Sequence, residues 1–190
     1  MPKKEESIKE VKLTPARAML LYLLFQYEAM GEASNLFVAN KLAWFLQRRG
    51  ENLKLTFKAH HYGPYSVQLN HVLLYLNGVY LKGLEQNKAR PFEPLFLNYD
   101  RYLEIEQYIK TKLSIAQKQR LTDIRNLLKG FESTFSLELL STVDYISKDD
   151  PAKSVEAIQE EITQWSNRKS DLFQPRQIQI AFEHLQNYAN

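Results

Sequence analysis

Lys41-Leu42-Ala43-Trp44-Phe45-Leu46-Gln47 and, further along, His61-Tyr62-Gly63-Pro64-Tyr65-Ser66 are the two stretches whose reading decides the fold. The first is apolar almost all round, the pattern of a helix buried on every side rather than lying on a surface. The second sets Gly-Pro between two tyrosines, which makes a sharp turn and aims aromatic side chains outward. Together they predict a helical recognition module with an exposed aromatic and basic corner.

Toward the N-terminus, Thr14 is an N-cap and Pro15 takes the first helical position. The helix they open carries Ala18, Met19, Leu21, Leu24 and Phe25 and closes at Gly31. A second helix starts near Asn35 and stops at Gly50, with Arg48 and Arg49 in its last turn, where cations suit the macrodipole. Leu53, Leu55 and Phe57 then alternate with Lys54, Thr56 and Lys58, the period of a half-buried strand with its basic side in water. A third helix is expected from Tyr65 to Asn77. Val79-Tyr80-Leu81 reads as a short strand, with Leu95-Phe96-Leu97 pairing back across a polar loop.

The second half reads as helical throughout. Asp100 and Ser114 are expected caps, Phe135 to Ile146 another helix, and Asp150-Pro151 a cap followed by proline. Val155, Ala157, Ile158, Ile162 and Trp165 form one stripe; Ile178, Ile180, Ala181, Phe182 and Leu185 form the last. The expected fold class is mainly α (α+β): a helical bundle with a small winged-helix-like β-hairpin or ribbon near residues 53–97. Residues 1–13, charged and without an apolar period, read as a disordered tail or linker, and residues 14–190 as a single domain.

Composition narrows the function classes. Of 190 residues 44% are hydrophobic and 25% charged, an ordinary globular balance. There is no cysteine, which excludes disulfides, thiolate metal sites and a cysteine nucleophile, and suits a reducing cytosol. No apolar run is long enough to span a bilayer. The net charge is +3, too small to imply nucleic acid by itself. Its basic excess gathers at Lys41, Arg48, Arg49, Lys54 and Lys58 beside His60 and His61, while acid gathers at Asp144, Asp149, Asp150, Glu156, Glu160 and Glu161.

No motif with catalytic mechanics appears. The six glycines sit at helix ends and turns, with no phosphate loop and no nucleophile elbow. His61 and His71 lack the carboxylates a metal site needs. Glu160 and Glu161 are adjacent on a helix and point apart, whereas an acid–base pair has to converge. The aromatic-basic stretch from Arg48 to Tyr65 stands out. Tyr62 and Tyr65 suit base stacking and the cations suit phosphates; Tyr and Arg also anchor protein interfaces; and the two tyrosines equally suit locking the turn.

The ordered set Pro15-x-Arg17, Lys41-Leu42-Ala43-Trp44-Phe45-Leu46-Gln47, Tyr62-Gly63-Pro64-Tyr65, Asn70-His71-Val72-Leu73, Leu76-Asn77-Gly78, Phe131-Glu132-x-x-x-Phe135-x-Leu137-Glu138-Leu139-Leu140-Ser141-Thr142-Val143 and Trp165-Ser166-Asn167-Arg168-Lys169 with Phe173 and Pro175 resembles the C-terminal half of DarG-type antitoxins. The first two motifs also look like Panacea antitoxin domains. DarG antitoxins pair with DarT, a toxin that attaches ADP-ribose from NAD to thymidine in single-stranded DNA; an N-terminal macrodomain removes the modification and the C-terminal domain binds the toxin. This chain shows no macrodomain.

The resemblance therefore implies a non-enzymatic antitoxin module in the cytoplasm. It would neutralise DarT by direct binding and block its single-stranded DNA groove or its NAD pocket, with the acidic stretch Asp144 to Glu161 in that groove. The alternative is a DNA-binding module for operon repression or substrate binding. The expected partner-binding residues are Arg48, Arg49, Tyr62 and Tyr65. No catalytic, cofactor-binding or metal-binding residue, cofactor, membrane partner or small-molecule substrate is expected.

Overall fold

The computed structural model describes residues 10–84 and 90–188. Most of the expected tail, residues 1–9, lies outside them. Residues 10–13 run without regular structure, and Val11 and Leu13 pack on the core.

The fold is mainly α, with two small antiparallel ribbons. Helix α1 (Pro15–Ala29) starts at Thr14, whose Oγ1 accepts from the Arg17 N–H. Ala18, Met19, Leu20, Leu21, Leu23, Leu24, Phe25 and Tyr27 are all buried on it. Each large apolar side chain so buried stabilises the fold by about 1.5–3 kcal/mol. Helix α2 (Leu36–Arg48) is capped by Asn35 Oδ1 and buried from Leu36 through Leu46. Its two buried polar residues tether the turn stretch: Asn40 Oδ1 accepts from the Ser66 N–H at 2.9 Å, and Lys41 Nζ donates to the Pro64 carbonyl at 2.8 Å.

Strands β1 (Lys58–His60) and β2 (Gly63–Tyr65) form a hairpin in the register Lys58 opposite Tyr65, Ala59 opposite Pro64 and His60 opposite Gly63. Residues 51–57 carry the expected alternation but join no ladder. Leu55 is buried, Leu53 and Phe57 half-buried, and Lys54 and Thr56 exposed. The Gln47 side chain substitutes for a strand: its Nε2 donates to the Leu55 carbonyl at 2.8 Å and its Oε1 accepts from the Leu55 N–H at 2.9 Å. Helix α3 is shorter than expected (Gln68–Leu76), because Gly63-Pro64-Tyr65 is spent on β2. Strands β3 (Leu81–Lys82) and β4 (Phe96–Leu97) pair as a second ribbon. The two ribbons stay separate.

A 3-10 turn (Tyr99–Arg101), capped by Asn98 rather than Asp100, leads into α4 (Tyr102–Lys112). Helix α5 (Ile115–Leu128) opens with a Ser114–Gln117 capping box. Helix α6 (Thr134–Ser147) is buried from Leu137 through Asp144. Asp150-Pro151 makes a turn, with Asp150 Oδ1 accepting from the Ala152 N–H, and α7 (Val155–Trp165) starts later from Ser154. Helices α8 (Asn167–Leu172) and α9 (Pro175–Asn187) complete the chain. Helix α1 packs on α2 and α4; α6 packs on α2, β2, α7 and α9. One continuous apolar core joins both halves. Among the described residues no helix is long and apolar enough to cross a membrane.

Candidate functional site

Two arrangements meet where the end of α2, the segment 53–60 and helix α6 come together. One is a buried ionic cluster and the other an aromatic cleft.

The cluster lies under the β1–β2 hairpin. Glu138, in the middle of α6, accepts from Arg168 Nη1 at 2.8 Å and Nη2 at 3.1 Å, and from Lys169 Nζ at 2.5 Å. Lys169 is fully buried and Glu138 is 1% exposed. Burial pushes the Glu138 carboxyl up, but the hydrogen bonds from Arg168 and Lys169 outweigh it and hold the pKa below the ordinary glutamate value. Among the described residues Lys41, also buried, has only the Pro64 carbonyl as hydrogen-bond partner. Burial first, then repulsion from Lys169, drives its ammonium well below the ordinary lysine range, against the pull of Glu138. The Ser66 and Thr142 hydroxyls, close by, are buried without a hydrogen-bond partner among the described residues.

The hairpin is strapped over this cluster. Trp165 Nε1 donates to the His60 carbonyl at 3.1 Å. The Arg168 guanidinium sits 5.0 Å from the centre of the Tyr62 ring. Gly63 has φ +95°, and a Cβ on it would come within 3.1–3.2 Å of Thr142 Oγ1, Lys41 Nζ and Ser141 Oγ. Glycine is required there both for the left-handed backbone and for the close approach of α6.

The cleft opens beside it, with a volume of about 420 Å³. Trp44 is its floor, fixed by a hydrogen bond from Nε1 to Asp144 Oδ2 at 2.8 Å. Phe57 stands edge-on to Trp44 at 5.2 Å, and Tyr145 is tilted at 46° and 5.3 Å. Trp165 continues the aromatic row 5.3 Å beyond Tyr145. Arg48 and Lys148 stand at the rim. Lys148 Nζ lies 5.0 Å from the Tyr145 ring centre and also pairs with the exposed Asp149. Lys54 and Lys58 bracket the wall-forming residues Leu55 to Phe57; both are exposed and carry no ion pair among the described residues. Lys54 holds φ +56°, the left-handed region that non-glycine residues seldom occupy.

The expected contact residues are divided by the structure. Arg48 does reach the cleft, but its guanidinium is engaged with Asp144, Nε to Oδ2 at 2.9 Å and Nη2 to Oδ1 at 3.2 Å. Arg49 is half-buried and lines a separate 280 Å³ cavity with Leu127 and Pro151. Tyr62 is on the far side of the hairpin against Phe37 and Phe92, and Tyr65 donates to Asn70 Oδ1 at 3.3 Å on α3. The acidic stretch is no continuous face, since Asp144 is turned inward to Trp44 and Arg48. Sequence reading passed over Phe57, Tyr145 and the Glu138 cluster, because only the packing of α6 against α2 sets them together. The α7 carboxylates that share a surface are Glu156 and Glu160, four apart, on an open face lined by α7 alone. Among the described residues no three His, Asp or Glu side chains converge as a metal site would require.

No family model matches the chain. It is 35% identical over 177 residues to a Thermus aquaticus protein named DNA ADP-ribosyl glycohydrolase, an alignment covering 92% of this chain and 47% of that one. Proteins of the same name from Mycobacterium tuberculosis and Mycobacterium bovis are 24% identical over 193 residues, covering 95% of this chain and 54% of theirs. The chain spans about half the length of the curated relatives it matches. These names overturn the reading as the toxin-binding domain of a DarG-type antitoxin that is not an enzyme and acts by masking DarT, since each relative is named for an enzyme activity. The physical reason is visible in the motifs. Leu42, Ala43, Phe45, Leu46, Leu137, Leu139, Leu140 and Val143 are all core residues, so a match through them reports a shared fold and does not separate neutralising from hydrolysing.

Proposed function

We propose that this chain takes part in the hydrolytic removal of ADP-ribose from DNA, as the helical portion of a DNA ADP-ribosyl glycohydrolase. The observation that carries this reading is the 35% identity over 92% of the chain to a protein of that name. A cytoplasmic setting, in which bacterial DNA is the substrate, belongs to the same reading. Toxin neutralisation and operon repression are not retained.

The geometry supports a definite share in that activity. Hydrolysis of a glycosidic bond calls for a carboxylic acid that can protonate the leaving group, with a second carboxylate facing it across the scissile bond. Glu138 is held ionised and saturated by three donors, and Glu156 and Glu160 stand on the open face of one helix. The cleft instead offers rings for bases; Arg48 and Lys148 at its rim are paired with Asp144 and Asp149, and Lys54 and Lys58 on the adjoining segment are exposed cations suited to phosphates. The contribution best supported is to hold the modified strand.

A single-stranded oligonucleotide bearing one ADP-ribose tests this. Retention is followed by gel shift at low ionic strength, and ADP-ribose release by mass spectrometry. The modified strand is expected to be retained at micromolar protein. Retention or release above the buffer rate supports the reading, and absence of both overturns it.

A further inference from the structure

Lys41 is the odd charge in the buried cluster. Glu138 and Lys169 neutralise each other at 2.5 Å, and Arg168, with 37% of its side chain exposed, keeps its charge partly in water. Lys41 is 1% exposed, and its amine donates to the Pro64 carbonyl of β2 at 2.8 Å. An ammonium carries three N–H donors and no acceptor, so a protonated Lys41 would bury donors that this one carbonyl cannot satisfy. A free amine fits the place better. It has one donor fewer, and its lone pair offers an acceptor to the neighbouring Thr142 hydroxyl, which is buried without a hydrogen-bond partner among the described residues. Lys41 Nζ and Thr142 Oγ1 both lie 3.1–3.2 Å from the point where a Cβ of Gly63 would stand.

The element that Lys41 holds is weakly anchored. Within residues 58–65 the buried ones are Gly63 and Pro64, while Lys58, Ala59, His60 and His61 are exposed. Helix α1, by contrast, buries large apolar side chains from Met19 to Tyr27. The hairpin is held down by polar contacts: Lys41 to Pro64, Asn40 to the Ser66 N–H, Trp165 to the His60 carbonyl, and Arg168 over the Tyr62 ring. An element with few buried apolar contacts opens at a lower cost than global unfolding. We propose that Lys41 is a proton-operated latch on the β1–β2 hairpin, which closes over the free amine and opens when that amine takes a proton.

The groups that face Lys41 set the direction. Burial is the largest influence and disfavours its charge; Lys169 on α8 repels a proton, and Glu138 on α6 attracts one. The Phe37 ring lies 5.0 Å away on its own helix. His60 on β1 is lowered first by its own burial and then by Lys41. Opening hydrates the amine, which takes its proton from solvent, so acid favours the open hairpin and base the closed one. His60 acts in the same sense, but only near its ordinary value of 6.5 and below.

Hydrogen exchange of the full chain tests the latch, read by mass spectrometry on peptides covering residues 58–66 and helix α1. The window runs from about pH 7.5 to about pH 9, above the histidine range and below the ordinary lysine value. Protection of the hairpin amides, corrected for the intrinsic exchange rate, is expected to fall about tenfold for each unit of acidification, one proton per opening. Low urea should leave this opening unchanged, because it exposes little surface, while α1 is more protected and loses protection as urea is added. In Lys41→Met the hairpin should lose its pH dependence. In Trp165→Phe, which lacks the strap to the His60 carbonyl, the hairpin should open about fivefold more often with the wild-type pH slope. Melting curves establish that the variants fold, and if Lys41→Met does not, the slope in Trp165→Phe decides. Hairpin protection that is independent of pH in the wild type or in Trp165→Phe would overturn the latch. So would a wild-type slope retained in folded Lys41→Met, or a hairpin that matches α1 in protection and in urea dependence and therefore opens only with the whole chain.

Discussion

Lys41 of α2 ends 2.8 Å from the carbonyl oxygen of Pro64 in β2, with only 1% of the lysine exposed. The contact joins the two sequence stretches that specify the fold, and it leaves an amine in a place where charge is penalised. The folded state binds the Lys41 proton less readily than the unfolded chain does.

Stability is therefore expected to rise with pH from the depressed folded pKa of Lys41 toward its unfolded value near 10.5. Over that interval the unfolded state binds more protons, so the slope is positive. The Tyr27 and Tyr80 hydroxyls, both raised, mainly by burial, reverse the trend above about pH 10, because the unfolded chain then ionises first. Urea denaturation midpoints between neutral pH and pH 9.5 check this. In Lys41→Met the rise should shrink, the remainder belonging to Lys169, whose pKa burial also lowers; an unchanged slope would place the proton elsewhere.

Glu138 neutralises charge in a fully buried place, so removing it alone should be costly. Glu138→Gln is expected to lose about 3–5 kcal/mol, as breaking a buried ion pair from one side does. Replacing the fully buried pair, Glu138→Leu with Lys169→Met, should cost clearly less, because neither buried member then leaves the other's charge behind and the Arg168 guanidinium is partly exposed to water. Chemical denaturation of the two variants compares them directly.

Gly63→Ala meets two obstacles together: φ +95° and a Cβ at 3.1–3.2 Å from Thr142 Oγ1, Lys41 Nζ and Ser141 Oγ. The backbone alone accounts for about 1–2 kcal/mol. The loss should exceed that of Gly31→Ala, where φ is +94° but nothing lies within 4 Å of the new Cβ. Equal losses would show that the close approach of α6 contributes nothing.

Lys54 separates stability from binding. Its left-handed backbone, φ +56°, makes Lys54→Gly stabilising by a few tenths to about 1 kcal/mol. The same change removes one cation beside the cleft, so the log–log salt slope of single-strand binding should fall by about one. Melting temperature and salt titration read the two effects independently, and a variant that gains stability with an unchanged slope would remove Lys54 from the interface.

Local structure was legible where local chemistry decides it. Thr14, Asn35 and Ser114 cap helices through their own side chains, and a buried α2 follows from its unbroken apolar run. The alternation at 53–58 correctly sorted buried from exposed side chains, but it did not reveal that Gln47 would take the place of a partner strand. Asp100 and Asp150 looked like caps because aspartate suits both caps and turns. The chain used them in turns and began its helices elsewhere.

The sequence by itself determined the helices, most of their ends and a basic excess in the first half, because these depend on neighbours within a few residues. The tertiary structure alone decided which aromatics share a surface. Phe57 and Tyr145, far apart in the chain, meet over Trp44, while Tyr62 is drawn to the opposite side by Phe37 and Phe92. It also decided that Glu138, Arg168, Lys169 and Lys41 gather beneath one hairpin. Contacts at such separations are selected by the packing of whole helices, and no local pattern of residues encodes them.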